Sequence, residues 1–482
     1  MNKKNYSHSY KLCAGIAFAA CTLLTWSCAD HYDGDEEWSP QKQNSTLLSP
    51  EAEGIKVVAS PDGSSMTISW PVVYGAGGYA AFLYNVNDPD SPVLVKSDSI
   101  DGCSFNATRE EDTNYMLKIR TLGNVKYNNK EAQEETVFNF NTFLPTFKEI
   151  PNGTDLTTWF GEAGNLPEDS TSHLCYDLEP GGTYTLSGNI DFGGHQVTLR
   201  SSSKSFNAKL TIGSGAKLQT WGGFTLKYLD IDCAQTNKAL VELSTTPDDS
   251  IKNLVGTANY YFIQDPIVFQ GCKVSSLNGA LIADAEGGKY VVRTLMINDC
   301  IVEIINTSLI PISLRTGSYV TDFTVKNSTI YSLEKNTAAF LQYNGRPKEL
   351  NDDSEKQCIS FLNSTLYQLS YNANFRGDTR TQGQKSNYFT VERCIIVDCG
   401  KDNFCQSLLR QASTNPTVSY SKNTYWKDGE DKSANQTGAG CDQTGTALTT
   451  DPGFINPAAG NFTPTGSQQV EEKTGDPRWF NQ

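Results

Sequence analysis

Three arginines follow short apolar runs in this chain: Arg315 in PISLRTG (311–317), Arg376 in NANFRGD (372–378) and Arg410 in QSLLRQA (406–412). ALVELS (239–244), ALIADA (280–285) and AAFLQYNG (338–345) have the same form. They set Glu242, Asp284 and Gln342 in the equivalent place. If Leu314, Leu341, Phe375 and Leu409 face inward, the six polar residues form one outward column, because neighbouring side chains on a strand point to opposite faces. Arg346, Lys348 and Arg380 lie in the segments that follow, and Tyr343 adjoins Gln342. This is a local basic concentration on a chain of net charge −15. The planar fork of Arg bonds a carboxylate in two places, and Tyr343 could stack on a sugar face. The column fits either a solvated strand face whose charges limit aggregation or a ladder for the acid groups of a uronate-rich or sulfated polysaccharide, with Arg315, Gln342, Tyr343, Arg346, Arg376, Arg380 and Arg410 as binding residues.

Two chemistries could use such a column. β-Elimination of a uronate needs its acid charge neutralised and a base to remove the C5 proton. Arg315, Arg376 or Arg410 could do either, and Tyr343 or Lys348 could act as base. Ca²⁺ could replace Arg as the neutralising charge, with Glu242 and Asp284 as its ligands. Glycoside hydrolysis needs two carboxylates at a set separation. The adjacent Asp352 and Asp353 sit in NDDSEK (351–356), a polar insertion that reads as a loop tip. Only four His are present, at 8, 31, 173 and 195, which argues against a His-rich metal site. The acidic balance argues against a nucleic-acid partner.

The elements that must hold this column are written as repeats. VKNSTIYSL (325–333) returns as FLNSTLYQL (361–369). Aligned with FTLKYLDI, IVFQGCKV, LMINDCIV, FTVERCII and VSYSKNTY, they give a column Leu229, Cys272, Cys300, Ser328, Ser364, Cys394, Asn423. A period near 30 residues with strand patterning indicates a solenoid of three short strands and three turns per coil. Val325, Phe361 and Val391 are expected inward before a corner, and Ile330, Leu366 and Ile396 inward after it. The small Cys/Ser column would sit at the bend. Asn327 and Asn363 would supply the left-handed backbone there and could hydrogen-bond between coils. Several of the ten Cys after Cys28 are then packed thiols.

Upstream, Lys3, Lys4 and Lys11 precede the apolar run LCAGIAFAACTLLTW (12–26), too short to span a bilayer and suited to a signal-peptide core. Residues 1–28 read as that leader, and the acidic, polar residues 29–47 as a flexible tether. Residues 48–145 contain about seven short strand patterns, as a β-sandwich requires. The repeats fill 146–482. The expected fold class is all-β, a sandwich followed by a right-handed parallel β-helix.

Three resemblances follow from these residues. Ser27-Cys28 resembles a bacterial lipobox, with Cys21 as a competing lipidation site, and ADHYDGDEE resembles the acidic export signal of surface lipoproteins. Trp70 on an early strand and Tyr115 opening a late one resemble a fibronectin type III module. The repeats, the opening PGGTY and the endings DPGFINPAAGNFTP and DPRWF resemble the pectate-lyase-like β-helix superfamily, in surface lipoproteins of bacterial glycan-utilisation systems. This last resemblance covers about 146–482. It implies an outer-membrane lipoprotein on the surface of a Gram-negative bacterium, held by a lipid anchor and feeding a glycan transporter complex. The superfamily spans enzymes and binders, so three classes stay open: a glycan-capturing protein, a polysaccharide lyase, and a structural or adhesion protein. Polygalacturonase signatures are absent. Gly194-His195 and Arg346-Pro347 are partial echoes of hydrolase and lyase motifs.

Overall fold

The structure is a computed structural model describing residues 43–60, 65–169, 172–286, 288–343, 357–377, 387–410 and 416–480. The leader, most of the tether, and both Cys21 and Cys28 lie outside the described residues, as do Arg346, Lys348, Asp352, Asp353 and Arg380. The chain divides into two compact units, residues 1–144 and 145–482.

The first unit is antiparallel. Lys56–Ala59, Ser65–Ser69 and Ser104–Thr108 form one sheet. Val93–Ile100, Tyr79–Asn85, Asn114–Thr121 and Thr136–Asn141 form the other. NYMLKIRT alternates buried and half-exposed positions, so Tyr115, Leu117 and Ile119 enter a shared core with Met66, Ile68 and Leu83. Trp70 is buried there edge-on to Tyr79, ring centroids 5.5 Å apart. The Tyr115 hydroxyl accepts a hydrogen bond from the Glu110 amide at 2.9 Å.

The second unit is a parallel β-helix. Among the described residues its strands stack into a long sheet of 12 strands, a second of 10 and a short one of 6. Like residues lie above like: Val325 pairs with Phe361 and Phe361 with Val391, while Ile330 pairs with Leu366 and Leu366 with Ile396. All six are buried. Between the long sheet and the 10-stranded sheet the chain bends through one left-handed residue per coil. These are Tyr228, Gly271, Asp299, Asn327, Asn363, Arg393 and Lys422, with φ between 45° and 61°.

The next residue is the small column read from the sequence, and it bonds from coil to coil. The Cys300 amide donates to Ser328 Oγ (3.0 Å), the Ser328 amide to Ser364 Oγ (3.3 Å) and the Cys394 amide to Asn423 Oδ1 (3.0 Å). Asn327 and Asn363 contribute through their backbone instead, donating to the Leu362 and Glu392 carbonyls. At the N-terminal end the helix Leu156–Gly161 buries Leu156 and Phe160 against the first coils. At the other end, residues 449–480 run back over the outer face of the 10-stranded sheet. Phe462 packs on Tyr331 and Tyr367, and Trp479 donates to Thr329 Oγ1 at 2.8 Å.

Candidate functional site

The expected arginine column does not form. The short sheet consists of Asn189–Asp191, Lys217–Thr220, Val241–Leu243, Ile282–Asp284, Ile312–Leu314 and Leu341–Tyr343. Its outward register runs Asp191, Gln219, Glu242, Ala283, Ser313, Gln342. Glu242 and Gln342 stand where the sequence put them. Asp284 and Arg315 do not.

Asp284 pairs with Leu243, an inward position, and is buried. It accepts the amides of Thr316 and Ser318 at 3.0 and 3.2 Å and closes the next turn. Arg315 is exposed, one residue beyond the end of its strand. Tyr343 also faces inward, stacked on Leu314 and buried, so its ring is not offered to a sugar.

Arg376 bridges in register with Leu341, which makes it an inward residue, and it is 0% exposed. Its Nε donates to the Leu408 carbonyl at 2.7 Å and its Nη2 to the Leu409 carbonyl, while the guanidinium lies 5.3 Å from the Phe389 ring centroid. Leu408 and Leu409 end the helix Phe404–Leu409, where carbonyls lack partners and a cation is favoured. That helix replaces the strand expected in QSLLRQA. Arg410 is its half-buried C-cap, at φ 39°.

The proposed Ca²⁺ ligands are already engaged. Glu242 is ion-paired to Lys217 and accepts from Gln219 Nε2 at 3.0 Å. Asp284 is committed to two backbone amides. Among the described residues no group of three or more His, Cys, Asp or Glu is placed to hold a metal ion.

A different cluster does come together, on the outer face of the 10-stranded sheet. An open cleft of about 290 Å³ is lined by Lys209, Leu210, Thr211, Asp230, Asp232, Lys273 and Ser275. Three coils build it from AKLTI (208–212), LDID (229–232) and KVSSL (273–277). Apolar Leu210, Ile231 and Val274 point into the core, so the residues on either side must point out. In register this gives one row of Lys209, Asp230, Lys273 and a second of Thr211, Asp232, Ser275.

Asp230 accepts from Asn207 Nδ2 at 2.9 Å, and Asp232 from the Ala234 amide at 3.0 Å. Among the described residues neither Lys209 nor Lys273 is ion-paired. They are two coils apart, ~9.6 Å at ~4.8 Å per coil. Phe206, one residue before Asn207, is 67% exposed. Farther along, the same face is covered by the C-terminal segment. The sequence held the signal for this cleft, since polar residues flank an apolar one in three successive coils. The polar column expected from the sequence lies on a different strand of each coil and leaves this one out.

Comparison with known proteins gives three segmental matches, each to a family described as a domain of unknown function: residues 3–179 (DUF4992), 182–333 (DUF4957) and 359–479 (DUF5123). No curated protein matches the chain. Among solved structures it is similar to the pectate lyase Pel3 from Pectobacterium carotovorum, at 10% identity over 78% of this chain and 91% of that one, with a TM-score of 0.13. The assignment to a parallel β-helix accordingly rests on the strand register of the chain itself.

Proposed function

We propose that this protein captures an acidic polysaccharide, uronate-rich or sulfated, on the outer face of its β-helix, and that the Lys209–Asp230–Lys273 cleft is the binding site. The observation that carries the reading is the pair of ammonium groups, two coils apart and without ion-pair partners among the described residues, on an exposed polar strip. Each ammonium would take an acid group of the glycan, and the Asp230 and Asp232 carboxylates would accept its hydroxyls. Phe206 offers an aromatic face beside them. Capture is favoured over β-elimination because two of the candidate catalytic residues, Tyr343 and Arg376, are enclosed in the core.

In this reading the chain is a surface lipoprotein of the pectate-lyase-like superfamily. Cys28 carries the lipid that holds it to the outer membrane of a Gram-negative bacterium, and the glycan passes to a transporter complex. The antiparallel unit is a fibronectin type III-like spacer. Its buried Trp70 and the Tyr115 hydroxyl turned back to the Glu110 amide support that.

Affinity electrophoresis in gels containing polygalacturonate or a sulfated glycan tests the site. The wild type should be retarded, less so as salt rises. Lys209→Ala and Lys273→Ala should each weaken binding about tenfold, equivalent to ~1.4 kcal/mol. Wild-type affinity in the double variant would refute the cleft. Ultraviolet absorbance of unsaturated ends in the same mixtures would identify a lyase instead.

A further inference from the structure

The corner thiols reach backbone oxygens: Cys272 donates to the Leu226 and Gln270 carbonyls at 3.4 Å, and Cys300 and Cys394 donate to the Asn298 and Glu392 carbonyls at 3.3 Å. Cys272 and Cys300 also meet each other between stacked coils. Cys405 and Cys441 are placed differently. Cys405 lies in the first turn of the helix Phe404–Leu409, and Cys441 in the loop that packs beneath it. Cys405 Sγ is 3.8 Å from the Tyr425 hydroxyl, and Cys441 Sγ is 3.6 Å from Asn403 Oδ1.

The two backbones are already clamped. The Cys405 amide donates to Gln436 Oε1 at 3.0 Å, Asn403 Nδ2 to the Thr437 carbonyl at 2.7 Å, and Gln406 Nε2 to the same carbonyl at 2.9 Å. Tyr420 donates to the Gly440 carbonyl at 2.8 Å, and Tyr425 to Asp442 Oδ2 at 2.9 Å. The Cys405 thiol donates toward the Cys441 sulfur, and that bond holds Cys441 below the ordinary thiol range while burial raises Cys405.

We propose that Cys405 and Cys441 form a disulfide that staples the helix Phe404–Leu409 to the loop beneath it. The chemistry balances with a small disulfide such as oxidised glutathione. The Cys441 thiolate attacks one glutathione sulfur and expels glutathione thiolate. Cys405 then gives up its proton and attacks the Cys441 sulfur of the mixed disulfide, expelling the second glutathione. Two electrons pass to the oxidant, and two glutathione thiols form.

The full chain, equilibrated in glutathione buffers from reducing to oxidising, is alkylated in denaturant and mapped by mass spectrometry. A linked peptide pair, Cys405 with Cys441, is expected, with Cys394 alkylated throughout. Refolding the reduced chain in the same buffers removes access as a variable. If Cys405 and Cys441 remain alkylated there, or pair elsewhere, the proposal fails. In thermal melts, reductant should lower the oxidised wild type by several degrees and leave Cys405→Ala/Cys441→Ala unmoved. A wild type insensitive to reductant would also overturn it.

Discussion

A fully buried guanidinium is costly unless its donors are used. Arg376 meets that condition by closing the open end of a helix rather than by meeting a ligand. Two carbonyls and an aromatic ring surround it. Arg376→Ala should leave both carbonyls unpaired beside a cavity and destabilise the protein by about 3 kcal/mol. Urea unfolding would show this, and glycan retardation per folded molecule should not change. Asp284 makes the same point with the opposite charge, since two amides hold it at the end of a short strand. The sequence alone places both on the surface, because the type of a charged residue does not say whether it faces water or an unfilled backbone group.

The corner between the long and the 10-stranded sheets is the element that sets the register of the coils. Each coil turns on one residue at positive φ, a conformation that costs an ordinary L residue ~1–2 kcal/mol and Gly almost nothing. Asn327→Ala should therefore lower stability by about 1 kcal/mol, and Asn327→Gly by only a few tenths; equal melting temperatures for the two would contradict the assignment. This corner was legible in the sequence because small residues recur beside it at nearly constant spacing, and the inward positions Val325, Phe361, Ile330 and Leu366 followed from it.

The short sheet was less legible. Five of its six strands have three residues each, and the segments leading to them vary in length. Aligning the polar residue after an apolar one placed Asp284 beside Glu242, whereas the structure pairs Ala283 with Glu242. A slip of one residue changes the face, and with it the candidate site.

At the scale of the whole solenoid, the C-terminal segment joins coils distant in sequence. Asp476 is fully enclosed. It accepts from Thr329 Oγ1 at 2.8 Å and from Arg478 Nε at 2.7 Å, and Arg478 also reaches Asp299 at 2.9 Å. Burial outweighs these partners and raises the Asp476 carboxyl to about 6. The folded state therefore holds this proton more tightly than the unfolded chain. The resulting stabilisation is full below about pH 4 and is lost as pH rises through 6. Between pH 5 and 7.5 the loss attributable to this group is on the order of 1 kcal/mol. Urea midpoints at the two pH values should differ more in the wild type than in Asp476→Asn; the same difference in both would show that the carboxyl is not the source.

Coils that touch only their neighbours unravel from an end, one repeat at a time. The returning segment changes that order. It leaves the last coil, crosses the strands at Thr424, Thr365 and Thr329, and is tied to the bend at Asp299. The terminal coils cannot peel away until this strap lifts, so their amides should open to solvent together, as one cooperative block, rather than fray in sequence.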